Sequence, residues 1–411
     1  MTTSTRREFL KGLGMAAFVT LPGRRRSPGR SRKGSSGLLF TSAGKTCLIR
    51  VDGGGFRTFD FSVPDQATWQ PGPLLGDGRR MIFLSMETRR DGPGRSFEEY
   101  YTQTPTHLWV YDLEKDSLSE IATRDRLAVF YTPQLLLKDG RMLVQVVRNK
   151  VGQVYNINLD GSDAREFTKA GEGLPYGFSL RPDGKRVAFH LASPSGYQVW
   201  TSDSWGGNRQ LVVGHPDHLY FAPAWSPDGT WLAFEDCRYK DDPGHDWADV
   251  CVAREDGTGF RVLTEGQLQW FGATYGNPQN KGGGSNVVTW THDGRILLVR
   301  KLPGSKVAWQ YQVGKPDVDH FNREYQPDLA RGGTEIVRLD PRDGSMKSLS
   351  GSDRPAWDFR ATESPDGRWV AFCRCATGES PALWVMRSDG SSPRMLSQGI
   401  DGRGADHPRW Y

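Results

Sequence analysis

The chain has 411 residues, of which 36% are hydrophobic and 25% charged, and it contains 49 Gly and 25 Pro. This content of turn-forming residues disfavours a mostly helical protein and favours many short strands. Beyond the N-terminal segment no apolar run approaches the roughly 20 residues that cross a bilayer, which excludes a polytopic membrane protein. The five cysteines have no CxxC spacing, which excludes a zinc ribbon and a disulfide framework; we expect Cys373 and Cys375 to be packing residues on opposite faces of a strand.

Residues 1–36 are predicted to be an export signal followed by a basic linker. The run Thr5-Arg6-Arg7-Glu8-Phe9-Leu10-Lys11, followed by the weakly apolar stretch Gly12 to Leu21, resembles a twin-arginine signal. That resemblance implies a folded protein that is periplasmic or secreted, with no transmembrane span in the mature chain. The alternative is a basic, disordered tail that contacts acidic partners.

The net charge of +5 belongs to this same segment. Residues 1–33 carry nine basic side chains and one acidic side chain, a local charge of +8, which leaves about −3 for the rest of the chain. An acidic body lacks the electrostatic attraction on which nucleic-acid binding depends, so we expect no nucleic acid among the partners.

A tight turn recurs along the chain, each time directly before an apolar alternating run. Clear copies are Arg181-Pro182-Asp183-Gly184, Ser226-Pro227-Asp228-Gly229 and Ser364-Pro365-Asp366-Gly367, and weaker copies contain Asp77-Gly78, Asp139-Gly140 and Asp293-Gly294. Pro fixes φ at the first turn position, Asp accepts hydrogen bonds from the turn backbone, and Gly adopts a positive φ. Each copy is therefore predicted to be a hairpin turn.

A second motif follows each first motif after a gap, and it consists of an apolar strand, a Gly/Asp turn and a short amphipathic strand. The two motifs give four antiparallel strands per unit and seven units, which predicts an all-β, seven-bladed β-propeller over residues 37–411; eight or six blades are the weaker alternatives. The first unit, from about Gly37, lacks an innermost strand, whereas the C-terminal run Ala405 to Trp410 resembles one. We therefore expect the C-terminal strand to join the first blade and close the ring.

These turns resemble the PD40 repeats of TolB-like propellers over residues 37–411, a resemblance that is specific for architecture. Among whole-chain propellers with this repeat, the chain is similar in length and blade count to the oligogalacturonate lyases, which use a metal held by His and Gln side chains. That similarity implies an acidic oligosaccharide as the partner and a divalent metal, Mn²⁺ or Ca²⁺, as the cofactor. The residues themselves assign neither a cofactor nor a set of metal ligands. Similarity to TolB implies instead a protein partner in the cell envelope.

All long loops are predicted to leave the propeller on one face, because the short turns of both motifs leave on the other. Long loops on a rigid scaffold are where binding and catalysis usually lie. The candidate catalytic residues of this face are Tyr176, His218, His245, Tyr275, His320, Arg323, Arg360 and His407. Strand register predicts that Tyr176, Arg360 and His407 surround the mouth of the central channel. It also predicts matching positions for His190, Glu235 and Arg300 at the ends of the second strands.

Two functions of different classes fit this pattern. His, Arg and Tyr side chains on one face of an exported protein favour a lyase that cleaves uronic-acid-containing glycans by β-elimination, because arginines neutralise the carboxylate and His or Tyr supplies the base. The alternative is a non-catalytic, TolB-like module that binds an envelope protein; a glycosidase with Glu98 and Glu235 is a third option. Whether the chain is an enzyme stays open, since structural roles fit the same histidines and arginines. We expect a monomer.

Overall fold

The structure is a computed structural model that describes residues 37–43, 45–59, 63, 66–68, 74–75, 77–87, 104, 106–121, 135–148, 151–193, 196–237, 247–268, 286–307, 309–311, 323–351 and 355–411. The predicted export signal and linker at 1–36 lie outside this part of the chain. Within it, we number the strands β1 to β30 in chain order. No helix of the described part has both the length and the apolar character that crossing a bilayer requires.

The strands of the described residues form seven four-stranded antiparallel sheets, which we call blades A to G. Blade A contains β1 (Gly37–Ser42), β2 (Lys45–Arg50), β3 (Arg57–Phe59) and the C-terminal strand β30 (Asp406–Trp410). Blades B and C contain β4 (Gln66–Thr68), β5 (Arg80–Glu87), β6 (Thr106–Asp112) and β7 (Ser117–Ile121), then β8 (Leu135–Leu136), β9 (Met142–Arg148), β10 (Val151–Ile157) and β11 (Arg165–Glu166). Blades D and E contain β12 (Leu174–Leu180), β13 (Val187–Ser193), β14 (Gly196–Ser202) and β15 (Gln210–Val213), then β16 (Tyr220–Trp225), β17 (Leu232–Asp236), β18 (Asp249–Ala253) and β19 (Arg261–Val262). Blades F and G contain β20 (Thr289–Trp290), β21 (Ile296–Lys301), β24 (Thr334–Leu339) and β25 (Met346–Ser348), then β26 (Trp357–Glu363), β27 (Trp369–Cys375), β28 (Ala382–Arg387) and β29 (Arg394–Ser397).

The ring closes as the sequence predicts. In blades B to G the strands pair in chain order, so the first strand of each is the innermost. In blade A the innermost strand is β30, which pairs antiparallel with β1, Leu38 lying opposite Trp410. The Tyr411 N–H donates to the Gly37 carbonyl at 2.9 Å and continues this pairing. The prediction of seven four-stranded blades closed by the C-terminal strand is confirmed.

The Pro-Asp-Gly turns have the geometry that their residues dictate. In blade E the Asp228 carboxylate accepts the Thr230 N–H at 3.0 Å and the Ser226 hydroxyl at 2.6 Å. The same hydroxyl accepts the Trp231 N–H at 2.9 Å, and Gly229 takes a φ of +71°. Since these contacts lie within a few residues, the turn forms wherever this motif occurs.

The core lies between blades and repeats with them. One fully buried phenylalanine occupies the same position of the second strand in five blades: Phe40, Phe83, Phe189, Phe234 and Phe372. All five cysteines are buried, and Cys373 and Cys375 are packing residues as expected. Cys373 and Cys375 were expected on opposite faces, which is wrong: both pack in one cluster with Trp357. Side chains two residues apart on a strand point to the same face.

Blade F carries an insertion between its second and third strands. The segment 301–334 contains a two-stranded hairpin of β22 (Trp309–Tyr311) and β23 (Arg323–Tyr325), followed by a 3-10 turn at Pro327–Leu329. A second 3-10 turn, Ile400–Gly402, precedes β30.

Candidate functional site

The innermost strands of blades D, E, G and A each contain a bulge at the same height near the mouth of the channel. The register shifts by one residue within the pairs β12 and β13, β16 and β17, β26 and β27, and β30 and β1. One residue of each bulge has a positive φ: Gly177, Ala222, Arg360 and His407. A left-handed backbone costs a residue other than glycine about 1–2 kcal/mol, and bulges redirect side chains near functional sites. Arg360 and His407 are therefore polar side chains held at the mouth by strained backbone.

Arg360 and His407 meet where the ring closes, between blades G and A. The Nε of Arg360 lies 2.7 Å from Asp406 Oδ1, and the His407 N–H donates to the same oxygen at 2.7 Å. The His407 Nδ1 is 3.4 Å from Asp406 Oδ2 and 3.4 Å from the Thr41 hydroxyl. We call Arg360, Asp406, His407 and Arg409 the ring-closure cluster. Two of its members, Arg360 and His407, are predicted site residues that the fold brings together.

Burial and nearby positive charges keep the His407 imidazole neutral. Burial lowers the pKa of His407 to about 4, and the guanidinium groups of Arg360 and Arg409 add to this effect against the opposing Asp406 carboxylate. Burial alone would raise the pKa of Asp406, but Arg360 and His407 hold it below its usual value. At neutral pH the cluster therefore contains a neutral imidazole, one carboxylate and two guanidinium groups.

Arg409 lies two residues further along β30, deeper in the channel, and was not singled out from the sequence. Its side chain is exposed, and it has no hydrogen bond or ion pair with another described residue. Desolvation by the surrounding protein still lowers the pKa of its guanidinium, so protein atoms lie around this side chain although part of it is open to solvent. A comparison of the units would have revealed it, since the corresponding residue is alanine or threonine in blades E, F and G.

His190 serves the fold at the boundary between blades D and E. It is fully buried, stacked on Tyr176 and Tyr197 and in contact with the Phe221 ring. Its Nδ1 accepts the N–H of the bulge residue Ala222 at 3.3 Å. Burial lowers the pKa of His190 to about 3, so the ring is neutral and its proton resides on Nε2. The predicted site residue Tyr176 is therefore part of an aromatic enclosure around a structural histidine.

Buried side chains make equivalent bridges at the next two blade boundaries. The Glu235 Oε1 accepts the Val288 N–H at 3.0 Å, and the Asn286 Oδ1 accepts the Arg360 N–H at 3.0 Å. Burial raises the pKa of Glu235 well above its usual value, which favours the protonated form of this carboxyl in the folded protein. Hydrogen bonds thus connect blades D, E, F and G around the mouth.

Arg300 does not match His190 and Glu235, contrary to the prediction. His190 and Glu235 each follow the first paired residue of their strand by three positions, Val187 and Leu232 respectively. In blade F that strand starts pairing at Ile296, so the matching residue is Val299. The turn of blade F is one residue shorter between its glycine and the strand, which moves Arg300 to the other face, where it pairs with Glu335.

His218 forms a second polar pair on the long-loop face. Its Nδ1 lies 2.8 Å from Asp236 Oδ2, and Asp236 is buried while His218 is about a quarter exposed. The His218 ring stacks on Tyr220 with 5.4 Å between centroids, and its edge contacts His215. A buried carboxylate that orients one imidazole nitrogen leaves the other nitrogen directed elsewhere, which is an arrangement suited to proton transfer.

The remaining predicted residues belong to parts of the chain whose side chains the structure does not describe. His245, Tyr275, His320 and the glycosidase candidate Glu98 lie outside the described residues. Arg323 lies in the β22–β23 hairpin opposite Tyr311, and the structure does not describe its side chain.

The described residues do not fit the divalent metal that the resemblance implies. They contain no group of three or more His, Cys, Asp and Glu side chains that could hold a metal ion. The ring-closure cluster presents two guanidinium groups, which repel a cation, and the His218 pair with Asp236 supplies two ligand side chains only.

Solved structures resemble this chain in fold. An oligogalacturonate lyase in complex with manganese matches with 14% identity and a TM-score of 0.54, over 87% of this chain and 83% of that chain. A puromycin-hydrolysing peptidase of Mycobacterium tuberculosis matches with 14% identity and a TM-score of 0.53, over 86% of this chain and 50% of that chain. TolB from Acinetobacter baumannii matches with 14% identity and a TM-score of 0.44, over 90% of this chain and 81% of that chain. No family model matches the sequence. The chain is a seven-bladed propeller that resembles in fold both the lyase and the peptidase, two proteins with different activities, so its own activity has to be argued from its site.

Proposed function

We propose that the protein is an exported lyase that cleaves uronic-acid-containing oligosaccharides by β-elimination at the ring-closure cluster. The observation that supports this proposal is a neutral imidazole, His407, at the mouth of the channel, whose pKa is lowered in part by the guanidinium groups of Arg360 and Arg409. The reaction removes a weakly acidic proton next to a carboxylate, so it needs positive charge at the carboxylate and a neutral base beside it.

The chemistry assigns one role to each group. His407 accepts the C5 proton, the electron pair forms the C4–C5 double bond, and the C4–O glycosidic bond breaks. The leaving oxygen receives a proton from the imidazolium or from water. Guanidinium groups stabilise the negative charge that develops on the carboxylate in the transition state, and Asp406 positions both Arg360 and His407.

The setting of the site is consistent with this activity. The twin-arginine resemblance of residues 1–36 implies transport of a folded protein to the periplasm or beyond, where acidic oligosaccharides are accessible. The substrate is then an acidic oligosaccharide and the functional unit a monomer. His218, oriented by Asp236, is the second group of this face suited to proton transfer.

The experiment is a substrate screen with an absorbance readout. The purified protein is incubated with a panel of acidic glycans, with and without Mn²⁺ or Ca²⁺, and the unsaturated product is followed by its ultraviolet absorbance. We expect His407→Asn, which tolerates the left-handed backbone, to lower kcat at least about 100-fold because the base is lost. The control is His215→Asn, at an exposed histidine of the same face. A panel without any product, under either metal condition, refutes the lyase.

A docking module in the cell envelope is the second candidate. Apolar side chains are exposed on the outermost strands of two adjacent blades, Leu211 on blade D and Val262 on blade E. Exposed apolar side chains on a rigid surface favour contact with a protein partner. In this case the double variant Leu211→Glu and Val262→Glu loses an envelope protein that co-purifies with the wild type, while His407→Asn retains it. Wild-type protein that co-purifies with nothing counts against this function.

A further inference from the structure

The positive charges of the ring-closure cluster are not equivalent. Arg360 has its Nε 2.7 Å from Asp406, so its guanidinium is already neutralised by a carboxylate of the protein. Arg409 has no acidic partner among the described residues, so its charge is uncompensated there. An incoming anion therefore gains more at Arg409 than at Arg360, because at Arg360 it competes with Asp406.

Among the described residues of blades C to G, the positions that correspond to Arg409 are uncharged. Pairing places Arg409 opposite Leu39, and the corresponding residues of blades C to G are Leu135, Ser179, Ala224, Thr289 and Thr362. A concave protein surface lined by one sign of charge focuses the electrostatic potential and concentrates ions of the opposite sign. The wall thus supplies an isolated positive charge with hydroxyl groups at the same height.

Arg409 is close enough to the reacting group to act with it. Both residues lie on β30, and the Arg409 guanidinium contributes to lowering the pKa of His407. Arg409 lies deeper in the channel than His407, whereas Arg360 lies beside His407 at the mouth. A carboxylate on Arg409 would therefore place the adjoining sugar carbon on the His407 side.

From this arrangement we infer that Arg409 is the residue that binds the carboxylate of the substrate, and that Arg360 positions His407 through Asp406. The inference rests on the proposed function for the identity of the sugar, but the anion site itself does not require elimination to occur. Arginine suits this role because its planar guanidinium binds a carboxylate through two parallel hydrogen bonds.

The test is equilibrium binding by calorimetry to full-length protein, using a galacturonic-acid oligosaccharide and its fully methyl-esterified form as probes. Arg409→Gln is expected to weaken binding of the acid at least about tenfold and to leave binding of the ester unchanged. Arg409→Lys should recover part of the affinity, because it restores the charge but not the paired hydrogen bonds. The control is Arg403→Gln, an exposed arginine near Asp401 that lies outside the channel strand.

A second readout separates a local effect from a folding defect. Arg409→Gln should raise the pKa of His407, followed by the ring-proton NMR shift, because one positive charge that lowers it is removed. Unchanged affinity of Arg409→Gln for the acid overturns the inference, and so does an equal loss for acid and ester. Wild-type protein that does not bind the acid overturns it as well. Selective binding of the acid without any unsaturated product leaves the anion site in place and refutes the lyase alone.

Discussion

Buried polar side chains at the blade boundaries illustrate how single residues resolve a conflict within this fold. A bulge leaves a backbone N–H without its partner in the sheet, and a buried donor without an acceptor costs about 1–3 kcal/mol. His190 supplies the acceptor for Ala222, and Asn286 supplies it for Arg360. From the sequence alone, a histidine or an asparagine at these positions could equally well serve catalysis. The burial of His190 is what shows that its role is structural.

Glu235 provides a residue-level test of this interpretation. Burial raises the pKa of this carboxyl in the folded protein, whereas it ionises near 4.5 in the unfolded chain. Folding therefore takes up a proton, and wild-type stability declines as the pH rises above about 4.5. Gln does not titrate and keeps the acceptor for Val288. We expect Glu235→Gln to gain about 1.4 kcal/mol in free energy of unfolding per pH unit over the interval where folded Glu235 stays protonated.

The measurement is urea unfolding of both proteins from pH 4 to pH 8. The control is Glu265→Gln, at an exposed glutamate of the same blade. Stability curves of Glu235→Gln and wild type that run parallel over this range would show that Glu235 is ionised in the folded protein.

At the scale of the element, the inner-strand bulge determines which residues face the channel mouth. Gly177 occupies this position in blade D with a φ of +59°. A Cβ there would lie 2.9 Å from the His190 Nδ1 and 3.1 Å from the Ala222 Cα, so the glycine is required by close approach as well as by backbone conformation.

We expect Gly177→Ala to destabilise the protein by about 2–4 kcal/mol, combining left-handed strain with overpacking. Gly378→Ala isolates the strain, since Gly378 has a φ of +85° and no atom within 4 Å of its added Cβ. This control should cost about 1–2 kcal/mol. Urea unfolding of both variants measures the difference in free energy of unfolding. Equal losses would show that His190 and Ala222 move away from the added Cβ without a cost in stability.

Elements also show what the sequence predicts and where it fails. The Pro-Asp-Gly turns are local, because Asp228 and Ser226 bond backbone groups within five residues, so the pattern alone locates them. The bulges depend on a partner strand and leave no local pattern, so the sequence does not reveal that Arg360 shares its position with Gly177.

Arg300 was misplaced because one missing residue in a turn reverses the face of every following side chain. Arg409 was missed because its significance lies in the uncharged residues at the same height of other blades.

At the scale of the whole molecule, the candidate site forms only when the ring of blades closes. The cluster takes Arg360 from blade G and Asp406, His407 and Arg409 from β30, so it exists only while β30 is paired in blade A. Trp410 anchors that strand: it is buried in a cluster with Leu38 and Leu383, and its Nε1 donates to the Thr362 carbonyl of blade G at 3.1 Å.

Trp410→Ala should therefore act on the site as well as on stability. We expect a loss of about 3–5 kcal/mol in free energy of unfolding, typical of removing a buried tryptophan. Because β30 then separates more readily from β1, the pKa of His407 should rise from about 4 towards its usual value and uronate affinity should fall. NMR titration and calorimetry measure these two effects.

Trp225 gives the matched control, because it occupies the same position in blade E, is equally buried and lies away from the closure. Trp225→Ala should cost a similar amount of stability while leaving the pKa of His407 unchanged and the Tyr411 amide protected from hydrogen exchange. If both variants shift the pKa of His407 alike, the site responds to general loosening of the ring. If only Trp410→Ala does so, assembly of the site is coupled to the pairing of the first and last strands, and the strand that closes the propeller is also the one that equips it for chemistry.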